Sequence, residues 1–232
     1  KGCSATTIQR RLSALRSFFR FGLTRGYVEK NPARGIVGPK RSRPLPQFLR
    51  EGEMNRLLDD VPVGDSYRDL LGYTIVLTFY STGMRLAELV GLNDDSIDFE
   101  ARVIKVTGKG SKQRLIPFAD ELEAGLKAYI ARRDAEVARC DKAFFVDQRG
   151  ERVKRGAVQN SVRASLAKVT SMKKRSPHVL RHSFATAMLN NDAGLESVKK
   201  LLGHESLSTT EIYTHTTFEQ LRKIYDKAHP RA

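Results

Sequence analysis

The chain has 232 residues, 40% of them apolar, enough for one large domain and a small one with a filled core. Its 41 Lys and Arg against 26 Asp and Glu leave a net charge of +15, an excess that points to a polyanionic partner, nucleic acid first. Cys3 and Cys140 form no C-x-x-C pair, which disfavours a disulfide framework or zinc ribbon and reads as intracellular, hence cytoplasmic; the most apolar run, 70–80, is too short to span a membrane.

In chain order, residues 1–34 begin with an amphipathic helix. Ile8, Leu12, Leu15, Phe18 and Phe19 share one stripe, Thr6 or Thr7 is the expected N-cap, and Gly26 and Asn31-Pro32 end the unit. One such helix cannot bury its own apolar face, so it reads as the last part of a helical domain that begins before Lys1. Residues 35–47 follow as a proline-rich linker carrying Lys40, Arg41 and Arg43, an extended strap suited to the flank of a duplex or simply solvated.

The larger domain is expected over 48–232. "EMNRLLDDV" (53–61) and "YRDLLGYTIVLTFYSTG" (67–83) read as helices, the second mostly buried. "RVIKVTGKGSKQRLIPF" (102–118) is two β-type runs around a glycine-rich turn, hence a hairpin with an exposed tip; Lys112 and Arg114 beside that tip are candidate DNA contacts. Helices are expected at 120–137, striped by Leu122, Leu126, Tyr129 and Ile130, and at 155–169, striped by Val158, Val162, Leu166 and Val169. "AFFV" (143–146) has the composition of a short strand, and the C-terminal third is helical. The fold class is therefore mainly α with a small antiparallel β-hairpin or sheet, an α+β arrangement.

"RSPHVLRHSFAT" (175–186) carries the most chemistry. Ser176 fits an N-cap and Pro177 the first helical position, which puts His178 in the first turn and Arg181 on the same face, an anion site suited to phosphate. His178 and His182 stand four apart, as a metal pair would, but no third ligand lies near them and H-E-x-x-H is absent. His182 reads instead as a hydrogen-bonded supporting residue. "STGMRLAELVGL" (81–92) offers Arg85, with Glu88 one turn on, either as an oriented phosphate fork or as an ordinary intrahelical ion pair. Lys109 sits between Gly108 and Gly110 at the hairpin tip. Leu195, Val198, Leu201 and Leu202 form a stripe that Gly203 ends, holding His204 at the helix mouth; "STTE" (208–211) is a capping box for a short helix presenting Tyr213.

"TGMRLAEL", "GKGSKQRLIP", "HVLRHSFAT", "LLGHESLSTTEIYTH" and the ending "HPRA" together resemble the tyrosine recombinases, the family of phage integrases, and most closely its Xer branch. The resemblance runs over the whole chain, with 1–34 similar only to the final part of the family's helical core-binding domain and 48–232 to its catalytic domain. It implies that Arg85, Lys109, His178, Arg181, His204 and Tyr213 are catalytic, with Tyr213 the nucleophile that forms a 3′-phosphotyrosine. It also implies that no metal, cofactor or ATP is needed. The implied partners are a double-stranded DNA recombination site, a homotetramer or a heterotetramer with a sister recombinase, and a septal DNA translocase. The amphipathic tail 218–232, through Phe218, Leu221, Ile224 and Tyr225, is expected to dock on a neighbouring protomer. One departure stands out: Arg50 occupies the cap position where the family carries Ser or Thr.

Overall fold

The computed structural model describes residues 2–40, 47–108, 112–203 and 215–232, the side chains of 215–217 excepted. Two compact units divide the chain, Lys1–Pro46 and Gln47–Ala232. In the first, α1 (Ala5–Thr24) starts one turn earlier than its apolar stripe: Ser4, not Thr6 or Thr7, is the cap, and its hydroxyl accepts the Thr7 N–H at 3.2 Å. The segment after α1 folds back along it, since Arg16 donates to the carbonyls of Ala33 (3.0 Å) and Ile36 (2.5 Å). Leu12 is buried, whereas Ile8, Leu15, Phe18 and Phe21 remain exposed, as expected for a helix that cannot cover its own apolar face.

The second unit is organised by α3 (Tyr67–Thr82). Eleven of its sixteen residues are buried, so it is apolar on every side rather than striped, the signature of a helix at the centre of a core. Its threonine hydroxyls bond within the helix: Thr74, Thr78 and Thr82 each donate to the carbonyl four residues back, at 2.8, 2.7 and 2.5 Å. Against α3 pack α5 (Asp120–Glu136), α6 (Arg155–Ala167) and α7 (Pro177–Asn190), the first two through their predicted stripes; Leu122, Leu126, Tyr129, Val158, Val162 and Leu166 are all buried. In front of α3, α2 (Glu51–Asn55) continues into a wider π turn, Arg56–Asp60. Arg50 is indeed its cap residue, and the cap is supplied by Glu53, which accepts the Arg50 N–H at 2.9 Å.

The sheet has three antiparallel strands, one more than the hairpin foreseen. β1 (Ile97–Asp98) pairs with β2 (Val103–Thr107), which pairs with β3 (Gln113–Pro117) in the register Ile104–Ile116 and Val106–Arg114. Residues 143–146 do not form a strand; they are buried among aromatic rings, and their β-type pairing is limited to the isolated bridges Asn93–Ala143 and Val146–Arg152. The mainly α, small-sheet class is what the structure has. Among the described residues, no helix is long and apolar enough to cross a membrane.

A second core layer joins α7 to α8 (Leu195–Leu202) and α9 (His215–Ala228), around Phe184, Met188, Leu201, Leu202, Leu221 and Tyr225. Leu195, predicted on the buried stripe of α8, is 57% exposed because it occupies the first, outward turn. Within the single chain the tail packs on its own domain. Tyr225 is fully buried and donates to the Ser81 carbonyl at 3.0 Å, and its ring stacks on His229 at 5.0 Å. Arg231 closes the end through an ion pair with Asp59 at 2.6 Å and another with Glu121.

Candidate active site

The site is assembled where two helices end. α3 stops at Gly83 (φ +58°) and α8 at Gly203 (φ +64°), both left-handed, a backbone that side-chain-bearing residues rarely adopt. Space as well as torsion demands glycine at the first: a Cβ on Gly83 would sit 2.5 Å from Phe184 Cδ1 and 2.8 Å from Leu202 Cδ2. A helix C-terminus leaves carbonyls without intrahelical donors and carries partial negative charge. At α8 three arginines from three different elements take up successive carbonyls. Arg114 Nε donates to Leu201 O (2.9 Å), Arg181 Nη2 to Leu202 O (2.8 Å) and Arg85 Nη2 to Gly203 O (2.8 Å). Arg181 Nη1 also donates to Gly83 O at 2.6 Å, so one guanidinium clips both helix ends together.

Glu88 is the anion at the centre. It lies on α4 (Leu86–Val90), whose cap position is Arg85, and its carboxylate accepts the Arg85 N–H at 2.7 Å. The same carboxylate takes Arg85 Nη1 at 2.9 Å and a two-pronged fork from Arg114, 2.7 and 3.0 Å. Burial by itself would raise the Glu88 carboxyl, but the Arg114 fork, followed by Arg85, holds it below the usual carboxylate range. Arg181 is pulled down to about 10, first by burial and then by the positive charges of Arg85 and Arg114, with Glu88 opposing. Three buried or half-buried cations thus surround one carboxylate. The imbalance is what a pocket built for an added anion requires.

The predicted residues divide as follows. Arg85, Glu88 and Arg181 are brought together, and the Arg85–Glu88 pair is real but is one edge of a larger network rather than a surface ion pair. His178 is exposed in the first turn of α7, one turn before Arg181, with Ser176 at the cap position and Pro177 at the first helical position. His182, read as a hydrogen-bonded supporting residue, is exposed. Arg114 is a correction. It is 7% exposed and bonded to Glu88 and Leu201 O rather than standing at the surface; its register partner is Val106, and it shares the inner face of the sheet with Ile104 and Ile116. Lys40 and Lys112 are exposed. Lys109, His204, Tyr213, Arg41 and Arg43 lie outside the described residues.

Asp94 pairs with Arg133 at 2.8 Å and with Arg139, and Asp98 accepts the Ala101 N–H at 2.8 Å. Among the described residues, no three His, Cys, Asp or Glu side chains are grouped to hold a metal ion.

Comparison with known proteins places this geometry. Residues 47–220 match the model of the phage integrase family. "Tyrosine recombinase XerC" of Psychromonas ingrahamii is 43% identical over 233 residues, covering 100% of this chain and 77% of that protein. Among solved structures, XerA recombinase is 28% identical with a TM-score of 0.61, covering 99% of this chain and 84% of that one. The XerH site-specific recombinase bound to palindromic difH substrate, a post-cleavage complex, has the same fold at 23% identity and a TM-score of 0.67, over 96% of this chain and 71% of that one. Three arginines drawn to one helix end, on this fold and with these relatives, leave one conclusion: the chain belongs to the phage integrase family and is a tyrosine recombinase, a DNA strand-transferring enzyme.

Proposed function

We propose that this chain cuts and rejoins DNA at a specific site through Tyr213, with Arg85 and Arg181 as the clamp on the scissile phosphate. The observation that carries the reading is the convergence of both arginines on the last carbonyls of α8, one residue before His204. The Tyr213 oxygen attacks phosphorus, the bond from phosphorus to the 5′ oxygen breaks, and a 3′-phosphotyrosine and a 5′-hydroxyl result. A phenol titrates near ~10, so a base must take its proton, the role given to His178; the leaving alkoxide needs an acid, the role given to Lys109. As the pentacoordinate phosphorus gains negative charge, Arg85, Arg181 and His204 meet it, and losing one such donor should cost on the order of 10²–10³ in rate. The energy of the broken bond stays in the ester, so another strand's 5′-hydroxyl reverses the step without ATP, and two arginines do the work that other phosphoryl-transfer enzymes assign to a metal.

The biological setting proposed is Xer-like resolution of chromosome dimers, since relatives named XerC align with the whole chain. In that setting the chain acts in the nucleoid as one of four protomers, alone or with a sister recombinase, passes through a Holliday junction, and answers to a septal DNA translocase, in service of chromosome partition and cell division. Residues 1–34 would be the end of a core-binding domain and 35–47 the strap to the catalytic domain. Lys40, Arg41, Arg43 and Lys112 would meet backbone phosphates.

The test is a nicked duplex that traps the cleaved state, chosen from genomic fragments by adduct formation. The wild-type chain should give a denaturation-resistant protein–DNA adduct in EDTA, and Tyr213→Phe should bind the duplex without forming it. An adduct that persists in Tyr213→Phe, or that disappears with EDTA, would refute the assignment.

A further inference from the structure

Among the described residues Arg114 bonds Glu88 and the Leu201 carbonyl, and it is the most buried of the three arginines. Its guanidinium makes a fork on Glu88 and donates to Leu201 O, and its side chain lies against Gly203, where a Cβ would come within 3.0 Å of Nη1. Glu88 in turn stands at the base of the β2–β3 hairpin, where a Cβ on Gly108 would be 3.7 Å from Glu88 Oε1. Arg114 thus touches the residue that orients Arg85 and the helix end that leads into residue 204, while its own backbone belongs to the strand that follows the hairpin tip.

Charge counting gives this position a meaning. Arg85, Arg114 and Arg181 carry three positive charges against the single carboxylate of Glu88. A phosphodiester brings one negative charge and gains a second as the nucleophile adds. If Arg114 cancels Glu88, the charges of Arg85 and Arg181 remain for those two. Without Arg114, Glu88 would draw Arg85 to itself and leave one net charge for two.

We infer that Arg114 is a positioning residue for strand transfer: by neutralising Glu88 it releases the charge of Arg85 to the scissile phosphate, and it ties the β2–β3 hairpin to the end of α8. The inference rests on the phosphate-clamp reading of Arg85 and Arg181. A bare structural ion pair predicts something different, because its loss would be indifferent to the charge on the substrate.

The experiment compares the wild-type chain with R114M, R114K and the double variant R114M/E88Q, on the selected nicked duplex with either a phosphate or a neutral methylphosphonate at the cleavage position. Folding is checked by thermal melting. On phosphate DNA, R114M should form adduct about 10²-fold more slowly than wild type. R114K, which keeps the charge without the fork, should be slowed less. R114M/E88Q restores the count of two unopposed arginines and should recover about tenfold of the loss. On methylphosphonate DNA, which builds up one negative charge fewer, R114M should approach the wild-type rate on the same DNA. The inference falls if R114M is slowed equally on both substrates with no recovery in the double variant, or if it cleaves phosphate DNA at the wild-type rate. Should R114M not fold, the double variant and R114K still decide: both should cleave phosphate DNA within about tenfold of wild type, and a folded double variant and R114K that are each slowed about 10²-fold or more would overturn the inference. Failure of wild type itself to form adduct would instead overturn the clamp reading.

Discussion

Replacing Glu88 with glutamine isolates the network from the chemistry. The carboxylate accepts four hydrogen bonds, two from the Arg114 guanidinium, one from the Arg85 side chain and one from the Arg85 N–H. Glutamine keeps the shape and one accepting oxygen, but its amide nitrogen can only donate and would face a guanidinium. Removing one member of a buried ion pair costs about 3–5 kcal/mol. Because the Arg85 side chain is 40% exposed and can turn to water, a value of about 2–4 kcal/mol fits Glu88→Gln better. For a domain of this size each kcal/mol moves Tm by about 2–4 °C, so a loss of about 3 kcal/mol should lower it by roughly 6–12 °C.

The pH dependence has a definite sign. The Glu88 carboxyl is held below its ordinary value, so its contribution is fully present above the unfolded value, near ~4.3, and is lost as pH falls through the lower folded one. The melting gap between wild type and Glu88→Gln should therefore be complete at neutral pH and narrow below about pH 4. Sulfate should raise the Tm of the variant more than that of wild type, because the variant leaves three arginines without their anion. Differential scanning fluorimetry across pH and sulfate concentration measures all three. A Tm within about 1 °C of wild type at neutral pH, or a gap unchanged at pH 3, would refute the reasoning.

Gly83→Ala should cost about 2–4 kcal/mol, from the positive φ and from the methyl's clash with Phe184, seen as a lower denaturant midpoint at an unchanged slope. It should also slow adduct formation, because Gly83 O anchors Arg181. Tyr225→Phe leaves the buried Ser81 carbonyl without the hydroxyl it accepts from, a loss of about 1–2 kcal/mol in the same assay. His229 is pushed down to about 4, mainly by burial; its Nδ1 accepts the Arg231 N–H and its Nε2 faces the Tyr80 carbonyl, so the neutral ring fits and the charged one does not. As pH falls from about 6.5 towards about 4, the unfolded chain takes up a proton that the folded chain resists, and stability should decline over that window. In His229→Gln that part of the decline should be absent.

Much of this was readable from residue order. Apolar spacing located α5 and α6 with their buried positions, and the Ser176-Pro177 start of α7 and the Gly203 stop of α8 fell where local backbone chemistry puts them. Such features are decided by neighbours within a turn. The cap of α1 was misplaced because Ser4 and Thr6 are chemically equivalent candidates, and only the built helix chooses between them. Residues 143–146 have strand composition, but their burial among Tyr129 and its neighbours leaves them no strand to pair with beyond single bridges. Leu195 has the right period, yet it stands on the outward first turn of α8 and stays exposed.

Arg114 is the instructive case. Its parity with Ile116 already placed it on the inner face of β3, a signal that its charge concealed, since an arginine beside a hairpin tip is read first as a surface cation. Burying it is tolerable because Glu88, 26 positions earlier, and the Leu201 carbonyl, 87 positions later, take one hydrogen bond from each of its three nitrogens. Residue types, helix ends and the likeness to the tyrosine recombinases were thus properties of the sequence alone. The pairing of three arginines with one carboxylate and one helix end was a tertiary decision, because charge and hydrogen-bond compensation between distant segments exists only once the chain has closed around them.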